Sequence, residues 1–176
     1  AQTQLQFDIE PRFEPRTCRH LVGDRTYVLH CHHYATLYTQ LAEDCGMLDG
    51  KKLLAESAED TFYQILCDFF AAQEPLSIDQ RFAIGERFFS VTGMGTLSVR
   101  SAGPECGEVV LPTAHLDAGW IKKWGKSDRP VNHIARGFIA ALFAAAFARP
   151  SRTYTVTETA SIAAGAPESR FVVVTE

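Results

Sequence analysis

The chain has 176 residues, of which 46% are hydrophobic and 22% charged, and 17 Lys and Arg against 21 Asp and Glu leave a net charge of -4. This length and composition predict one globular domain and exclude a disordered, collagen-like or coiled-coil chain. The mild acidity, without any run of five like charges, argues against nucleic acid or anionic lipid as a partner.

The sequence predicts neither a membrane-crossing helix nor a signal peptide. Its longest apolar run, residues 139–148, has ten residues, about half of the ~20 that a membrane-crossing helix requires. The first thirty residues include acidic side chains and lack an apolar core segment, so we expect no signal peptide among them. Five cysteines without a CxxC pair indicate reduced thiols and favour a cytoplasmic location.

An extended arm over residues 1–24 is expected to precede a single domain over residues 25–176. The β-branched and aromatic content of residues 25–31 predicts a short strand. From residue 33 the period changes, and apolar side chains at steps of three and four predict a helix that Gly46 ends. One face of this helix carries Tyr34, Leu37, Tyr38, Leu41 and Cys45.

Two more helices and a pair of strands are expected in the middle of the chain. Residues 51–72 predict a long helix whose buried stripe holds Leu54, Ala58, Phe62, Ile65, Leu66 and Phe69. Ser77 is placed to start a third helix, which runs through Arg87. Residues 97–99 and 108–111 predict two antiparallel strands joined by a turn at Gly103-Pro104.

The C-terminal part is expected to add a short helix over 115–124, a loop over 125–130, and two strands over 153–157 and 170–175. Between them, residues 131–149 predict a buried helix that presents a surface of glycine and alanine over residues 137–148. Helices interspersed with antiparallel strands, and no βαβ repeat, predict an α+β fold with an antiparallel sheet packed against helices.

Histidines are concentrated where the first strand meets the first helix, in the run His30-Cys31-His32-His33. Because side chains alternate along a strand, two of these imidazoles project to the same side. Imidazole is a common transition-metal ligand, but the other ligands must come from distant segments. The candidate metal ligands are His30, His32, His33, His115 and His133. The alternative is that these histidines cap the helix or form structural hydrogen bonds.

Two further groups are candidates for chemistry. Glu56, Asp60 and Tyr63 share a helical face, where two carboxylates can ligate a metal or act as acid and base, although such a run is more often a solvated surface. Trp120 and Trp124 are four residues apart and can line an apolar pocket. No GxGxxG, P-loop, GxSxG or HExxH motif occurs, so the specific signatures of cofactor binding and hydrolysis are missing.

Two segments of the C-terminal half stand out together. Residues 125–131 (GKSDRPV) precede a Gly-Phe step at 137–138 in an apolar helix, and residues 158–171 read ETASIAAGAPESRF. Together they resemble the 4-vinyl reductase domain, which occurs in hydrocarbon-binding proteins, in sensors of phenol-responsive activators and in a protein linked to bacteriochlorophyll synthesis. The resemblance is specific over residues 112–174. It implies an α+β fold, usually dimeric and related to nitric-oxide-sensing and Golgi-trafficking domains, with an internal apolar pocket.

The resemblance also implies where a metal is bound in other members. Their zinc ligands are a glutamate and three cysteines, at positions that hold Asn132, Glu158, Ser161 and Ser169 here. Since serine and asparagine are poor zinc ligands, we expect the structural zinc to be missing. The histidines named above are not typical of the family, so a transition metal held at a histidine-rich site near the pocket is a hypothesis.

These observations predict a domain that binds a small, largely apolar organic ligand, aromatic or tetrapyrrole-like, in an enclosed pocket with a histidine anchor. The expected walls are Phe62, Phe69, Phe88, Phe89, Trp120 and Trp124. One alternative is a metal-dependent hydrolase or lyase in which His33 or His115 is the catalytic base. The other is a non-catalytic homodimer assembled through the small residues of 137–148.

Overall fold

The structure is a computed structural model, and it describes residues 10–28, 31–73 and 75–175. His30, one of the candidate metal ligands, lies outside the described residues. His32 belongs to a helix, but its side chain is also outside the described part. In the described residues, no helix has the length and apolar character needed to cross a membrane.

The described chain forms seven strands and five helices. In chain order they are β1 (Pro11–Glu14), β2 (Arg19–Val22), β3 (Arg25–Tyr27), α1 (His32–Asp44), α2 (Gly50–Ala71), α3 (Ile78–Val91), β4 (Gly95–Ala102), β5 (Cys106–Ala114), α4 (His115–Trp124), α5 (His133–Ala146), β6 (Tyr154–Ala160) and β7 (Ser169–Thr175). The predicted α+β class and the antiparallel sheet are confirmed.

Two antiparallel sheets organise the strands. The larger has the order β4-β5-β7-β6, and the smaller has the order β1-β2-β3. The smaller sheet begins within the segment expected to be an extended arm, since β1 and β2 pair from Pro11 opposite Val22 to Glu14 opposite Arg19. Tight turns at residues 15–18 and 23–24 separate its strands. The N-terminal segment is therefore part of the folded structure from residue 11 onward.

Helix α5 packs against α2 on one side and against β6 and β7 on another. Its small residues allow this close approach: a Cβ atom at Gly137 would lie 2.1 Å from the carbonyl oxygen of Ala55 in α2. Ala141 and Ala144 are fully buried within the single chain. The small residues of 137–148 were expected to form a dimer interface. That expectation is wrong for this surface, because α2 and the sheet already cover it within one chain.

Helix α3 supplies much of the aromatic core. It begins as expected at Ser77, whose hydroxyl accepts a hydrogen bond from the backbone N–H of Gln80, while the Gln80 side chain accepts one from the Ser77 N–H. This capping box satisfies N–H groups that a helix start otherwise leaves unpaired. The helix continues one turn past the expected end at Arg87, and that turn contributes the buried Phe88 and Phe89.

Helix α1 turns its apolar face to solvent, unlike an ordinary amphipathic helix, which buries it. Its apolar face is exposed to solvent, at Tyr34, Leu37, Tyr38 and Leu41. The side chains that face inward are Thr36, Thr39, Ala42 and Glu43. The Glu43 side chain is 1% exposed, and its carboxylate contacts Arg129 Nε at 2.9 Å and His133 Nε2 at 2.8 Å. These buried polar contacts explain the rotation of the helix, because an uncompensated buried carboxylate would be strongly destabilising.

Candidate functional site

The candidate histidines lie in different parts of the fold. His33 is exposed in the first turn of α1, with Nδ1 3.9 Å from Cys31 Sγ. His115 is the first residue of α4, and His133 is the first residue of α5. These three histidines therefore belong to three different helices, and they could share one metal site only if their side chains lie close together.

Helix geometry separates His33 from His133. The latter is bonded to Glu43, which follows His33 by ten residues on α1, and ten residues of α-helix span about 15 Å. These two imidazoles therefore do not ligate one metal ion. Across residues 10–28, 31–73 and 75–175, no three or more His, Cys, Asp or Glu side chains are arranged to hold a metal.

His133 instead connects α5 to α1. Burial lowers the pKa of its imidazole, and this effect outweighs the opposing effect of the hydrogen bond and charge of Glu43. The Oε2 atom of Glu43 also lies 3.3 Å from Lys51 Nζ and 2.9 Å from Arg129 Nε. Two permanent cations therefore compensate the buried carboxylate, and the imidazole serves as a hydrogen-bonding partner of Glu43.

The four candidate phenylalanines are brought together in the core. The Phe88 ring lies 6.2 Å from Phe62 and 5.6 Å from Phe69, measured between ring centroids. Phe89 lies 5.0 Å from Phe138 of α5, which also contacts Phe62 at 5.0 Å. The edge-to-face and tilted arrangements are those that aromatic rings prefer. Helices α2, α3 and α5 thus form an aromatic cluster.

The two candidate tryptophans belong to α4, which packs against α1 and β5. Their ring centroids are 4.6 Å apart, and Lys123 Nζ lies 4.2 Å from the centroid of the Trp124 ring. Trp124 is 40% exposed. The indoles therefore pair with each other on a different element from the phenylalanine cluster, and Trp124 lies at the surface.

Two polar atoms that bear on a ligand site have no hydrogen-bonding partner in the described part of the chain. They are Tyr27 Oη and His115 Nε2, and both atoms are buried. The Tyr27 ring lies 6.2 Å from Phe88. The His115 backbone N–H donates to the carbonyl of Met94, whose own N–H donates to Phe89. The Tyr27 ring is thus beside α3, and the His115 backbone is joined to the segment that follows α3.

The acidic group of α2 has a structural partner. Arg152 donates to Glu59 Oε2 at 2.8 Å and to Asp60 Oδ2 at 2.9 Å, and lies within 3.9 Å of Glu56. The Tyr63 hydroxyl donates to the carbonyl of Arg149. These contacts attach the segment before β6 to α2. Glu59, which lies in the same acidic run, is 4% exposed, so the run is not purely a solvated surface.

A buried polar cluster lies between α4, α5 and the loop that joins β6 to β7. Its central residue is Asp117, which is fully buried. One carboxylate oxygen accepts from Ser161 Oγ at 3.2 Å and from the Ala163 N–H at 3.0 Å; the other accepts from Asn132 Nδ2 and Ser169 Oγ, both at 2.8 Å. Four donors thus satisfy one carboxylate.

No local signal in the sequence predicts this role of Asp117, because its partners follow it by 15 to 52 positions. The resemblance did associate the other members, Asn132, Glu158, Ser161 and Ser169, with one site. Asn132 Nδ2 donates to Glu158 Oε1 at 2.8 Å as well as to Asp117. The side-chain amide therefore lies between two buried carboxylates.

Glu158 is the titratable member of this cluster. Burial raises the pKa of its carboxyl group to about 7, and the nearby charge of Asp117 acts in the same direction. Hydrogen bonds from Asn132 and Ser161 lower it in part. The side chain thus changes its protonation state near neutral pH, beside a second carboxylate and among neutral donors.

The residues present do not fit a structural zinc ion. Zinc in such sites prefers thiolate and imidazole ligands in a tetrahedral arrangement. Here an amide N–H₂ group donates into the space between Asp117 and Glu158, and the remaining side chains of the cluster are the hydroxyls of Ser161 and Ser169. An amide N–H₂ group is a donor and cannot ligate a cation.

Three depressions of the described surface are lined mainly by other residues. The largest, of about 430 Å³, lies between α2, α5 and β6 and includes Lys52, Arg136 and Arg152. A second, of about 390 Å³, lies beside His115 and is otherwise lined by the end of β5, the start of β4, Ala118 of α4 and neighbouring loop residues. The third, of about 360 Å³, lies on the exposed face of the sheet. None of the three is lined by the candidate aromatic residues.

No protein-family model matches the sequence, and no curated protein matches it. Solved structures do match. The phenol-responsive sensory domain of the transcription activator PoxR, in its structure with phenol, has a TM-score of 0.77 at 14% identity, over 94% of this chain and 85% of that domain.

Two further structures are similar at 14% identity over 82% of this chain. A vinyl-4-reductase family protein from Methanocaldococcus jannaschii has a TM-score of 0.52 over 78% of its own chain. The trafficking protein particle complex subunit 3 from Naegleria fowleri, covalently bound to palmitic acid, has a TM-score of 0.55 over 94% of its chain. The chain therefore has the α+β fold that these three proteins share.

Proposed function

We propose that this domain binds a small organic molecule with an aromatic ring and a hydrogen-bonding substituent, with Tyr27 and His115 as its polar anchors. The observation that carries the proposal is two buried polar atoms that have no partner among the described residues: Tyr27 Oη, whose ring contacts the aromatic cluster, and His115 Nε2, whose backbone is bonded to Met94 after α3. A buried polar atom that lacks its hydrogen bond costs about 1–3 kcal/mol. A ligand hydroxyl would remove this penalty.

The protonation state of Tyr27 favours such a role. Burial raises the pKa of its hydroxyl, against the opposing effect of Arg25, so the group stays a neutral donor at physiological pH. Phe62, Phe69 and Phe88 pack against one another beside Tyr27, and together with Phe89 they would become apolar walls if a ligand entered between the rings. The fold adds independent support, because a similar structure was solved with phenol and another with palmitic acid.

Of the alternatives, catalysis by a metal held between distant histidines has less support. His33 is exposed on α1, and the Nε2 atom of His133 is already bonded to Glu43. His115 remains a candidate on geometric grounds, and we assign it the role of a hydrogen-bonding anchor for the ligand. The Trp120 and Trp124 pair is not needed for this site.

The ligand proposal predicts an unusual pair of effects for Tyr27→Phe. Phenol affinity should fall about fivefold, since a hydrogen bond contributes about 1 kcal/mol, whereas the ligand-free protein should be as stable as the parent or more stable. His115→Phe should also weaken binding. Isothermal titration with phenol measures the affinities, and thermal denaturation measures stability.

Tyr63→Phe is the matched control, because it removes a tyrosine hydroxyl that bonds to Arg149 outside the proposed site. It should leave phenol affinity unchanged. Equal affinities for the parent, Tyr27→Phe and His115→Phe would contradict the assignment of these anchors. No heat and no thermal shift with phenol, cresols or catechol would contradict the ligand class.

We also propose that this domain contains no structural zinc, and that the hydrogen bonds of Asp117 join the segments that zinc joins in the family it resembles. The carboxylate joins α4 to Asn132 at the start of α5 and to Ser161 and Ser169 at the two ends of the β6–β7 loop. A zinc site would connect the same segments through metal–ligand bonds, whose energy contributes directly to folding. Internal hydrogen bonds need no metal to do so.

This proposal predicts a melting temperature that is insensitive to chelation. Protein purified without an affinity tag should melt within about 1 °C of the same value before and after exhaustive dialysis against a strong chelator, because no metal-linked folding energy is lost. Elemental analysis gives the metal content. Stoichiometric zinc, together with a large fall in melting temperature on its removal, would contradict the proposal.

A further inference from the structure

The depression between α2, α5 and β6, called the α2–α5 groove below, has the size of a binding site. Its volume is about 430 Å³, within the range of about 300–1,000 Å³ that small-molecule sites occupy. Basic side chains come from α2, from α5 and from the segment before β6: Lys52, Arg136 and Arg152. We propose that this groove binds a small aromatic monocarboxylate, whose carboxylate pairs with Arg136 and whose ring lies against the small residues of α5.

Small residues make room for an apolar body in the groove. Helix α5 contributes Gly137 and Ala140, and α2 contributes Ala55. The two helices are in contact here, since a Cβ at Gly137 would lie 2.1 Å from the carbonyl oxygen of Ala55. Val156 of β6 adds an apolar side chain. Surfaces built from such short side chains can take a flat ring, which gains free energy by leaving water.

Arg136 is the cation that a ligand can use. Its Nε donates to the carbonyl oxygen of Val156 at 3.0 Å, and this bond holds the half-buried guanidinium beside β6. The two terminal nitrogens have neither a hydrogen-bonding nor an ion-pair partner among the described residues. A guanidinium keeps its charge at every physiological pH, and its paired N–H groups match the two oxygens of a carboxylate.

The other two basic side chains of the groove are already paired. Arg152 Nη1 donates to Glu59 Oε2 at 2.8 Å, and Lys52 Nζ lies 3.8 Å from Glu56 Oε1. These charges offset one another, so the charge of Arg136 is the one left without a counter-ion in the groove. The Glu56 side chain is 34% exposed, and it would repel a second negative charge on a ligand. A singly charged carboxylate therefore suits the groove better than a phosphate dianion.

The inference is independent of the proposed phenol site. Neither Tyr27 nor His115 lines the groove, and none of its residues belongs to the cluster of Asp117. Substitutions in the groove should therefore leave phenol affinity unchanged, and Tyr27→Phe should leave carboxylate affinity unchanged. Failure of one site can be observed separately from failure of the other.

Titration of the isotope-labelled full chain with benzoate, followed by two-dimensional amide NMR, tests the proposal. We expect saturable shifts of the Gly137 and Ala140 amides. Arg136→Gln should raise the benzoate dissociation constant about tenfold or more, because charge-assisted hydrogen bonds are lost. Arg170→Gln is the matched control, since Arg170 is an exposed arginine of β7 outside the groove. It should leave benzoate affinity unchanged.

Two milder variants keep the test valid if Arg136→Gln fails to fold. Arg136→Lys retains the charge without the paired N–H groups, and it should weaken benzoate binding about threefold. Glu56→Gln removes the competing carboxylate and should strengthen binding about threefold, the size expected for a partly exposed charge. Thermal denaturation checks that each variant is folded. Benzoate affinity that none of these substitutions changes would overturn the proposal.

Related probes separate charge from ring. Benzamide has the ring without the charge and acetate has the charge without the ring, so each should bind at least about tenfold more weakly than benzoate. Equal affinity of benzoate and either probe would overturn the proposal, as would the lack of saturable shifts up to about 20 mM benzoate. Benzoate shifts confined to the surroundings of Tyr27 and His115 would overturn the groove and leave the phenol site intact.

Discussion

Asp117→Ala is expected to destabilise the domain by about 4 kcal/mol. The substitution removes the acceptor for Asn132, Ser161, Ser169 and the Ala163 N–H at once, and all of these residues are buried. Each unsatisfied buried donor costs about 1–3 kcal/mol, reduced by whatever relaxation the neighbours can make. Equilibrium unfolding in urea, monitored by far-UV circular dichroism, measures the change.

The matched control is Asp128→Ala, which removes a carboxylate from the exposed loop before α5. The Asp128 side chain is 90% exposed, and substitutions at such positions usually change stability by less than ~0.5 kcal/mol. Equal effects of the two substitutions would contradict the role of Asp117 as the centre of the cluster. A fall in the denaturant midpoint for Asp117→Ala alone, with an unchanged slope, is the expected outcome.

Glu158 is expected to make the domain less stable as the pH rises through neutrality. Its folded-state pKa of about 7 lies above the ordinary value of 4.5, so the native state retains a proton that the unfolded chain has lost. The contribution to stability is complete below pH 4.5 and is lost as the pH rises through 7. The raised pKa corresponds to about 3 kcal/mol over this range.

Glu158→Gln should remove this dependence, because glutamine resembles the protonated carboxyl group at every pH. We expect the difference in unfolding free energy between variant and parent to move by about 3 kcal/mol in favour of the glutamine variant between about pH 4 and pH 8. His133 titrates in both proteins and its effect cancels in this difference. Glu108→Gln, at an exposed residue of β5, should give a curve parallel to that of the parent.

Parallel curves for Glu158→Gln and the parent would show that the pKa of this carboxyl group is the same in the native and the unfolded chain. That outcome would contradict a neutral Glu158 within the hydrogen-bonded cluster of Asp117 and Asn132. The experiment therefore tests the electrostatics of the cluster independently of metal analysis.

Local signals in the sequence were enough to predict most of the elements. The short helix over 115–124 was predicted with the bounds of α4, and the predicted start of the third helix at Ser77 is the N-cap of α3. The antiparallel pairing of the predicted strands at 97–99 and 108–111 is also observed, although β4 and β5 extend beyond them. Periodicity, caps and turns act over a few residues, and they are visible in a single sequence.

The same periodicity did not reveal which way α1 faces. An apolar stripe ordinarily packs against the core, but on this helix the buried contacts of Glu43 with Arg129 and His133 place the stripe outside. These partners lie more than eighty positions further along the chain, and no local pattern encodes them. The N-terminal arm was likewise predicted without its strands, which exist only because three short segments pair with one another.

Reading the chain alone therefore yielded the class of fold, the elements and, through the resemblance, four positions that meet in one cluster. The packed molecule was needed to identify Asp117 as the centre of that cluster, to separate His33 from His133 along α1, and to place the Tyr27 ring beside Phe88 of α3. Helices and strands form from preferences of neighbouring residues, whereas burial and hydrogen-bond partners depend on segments that come together only when the whole chain packs.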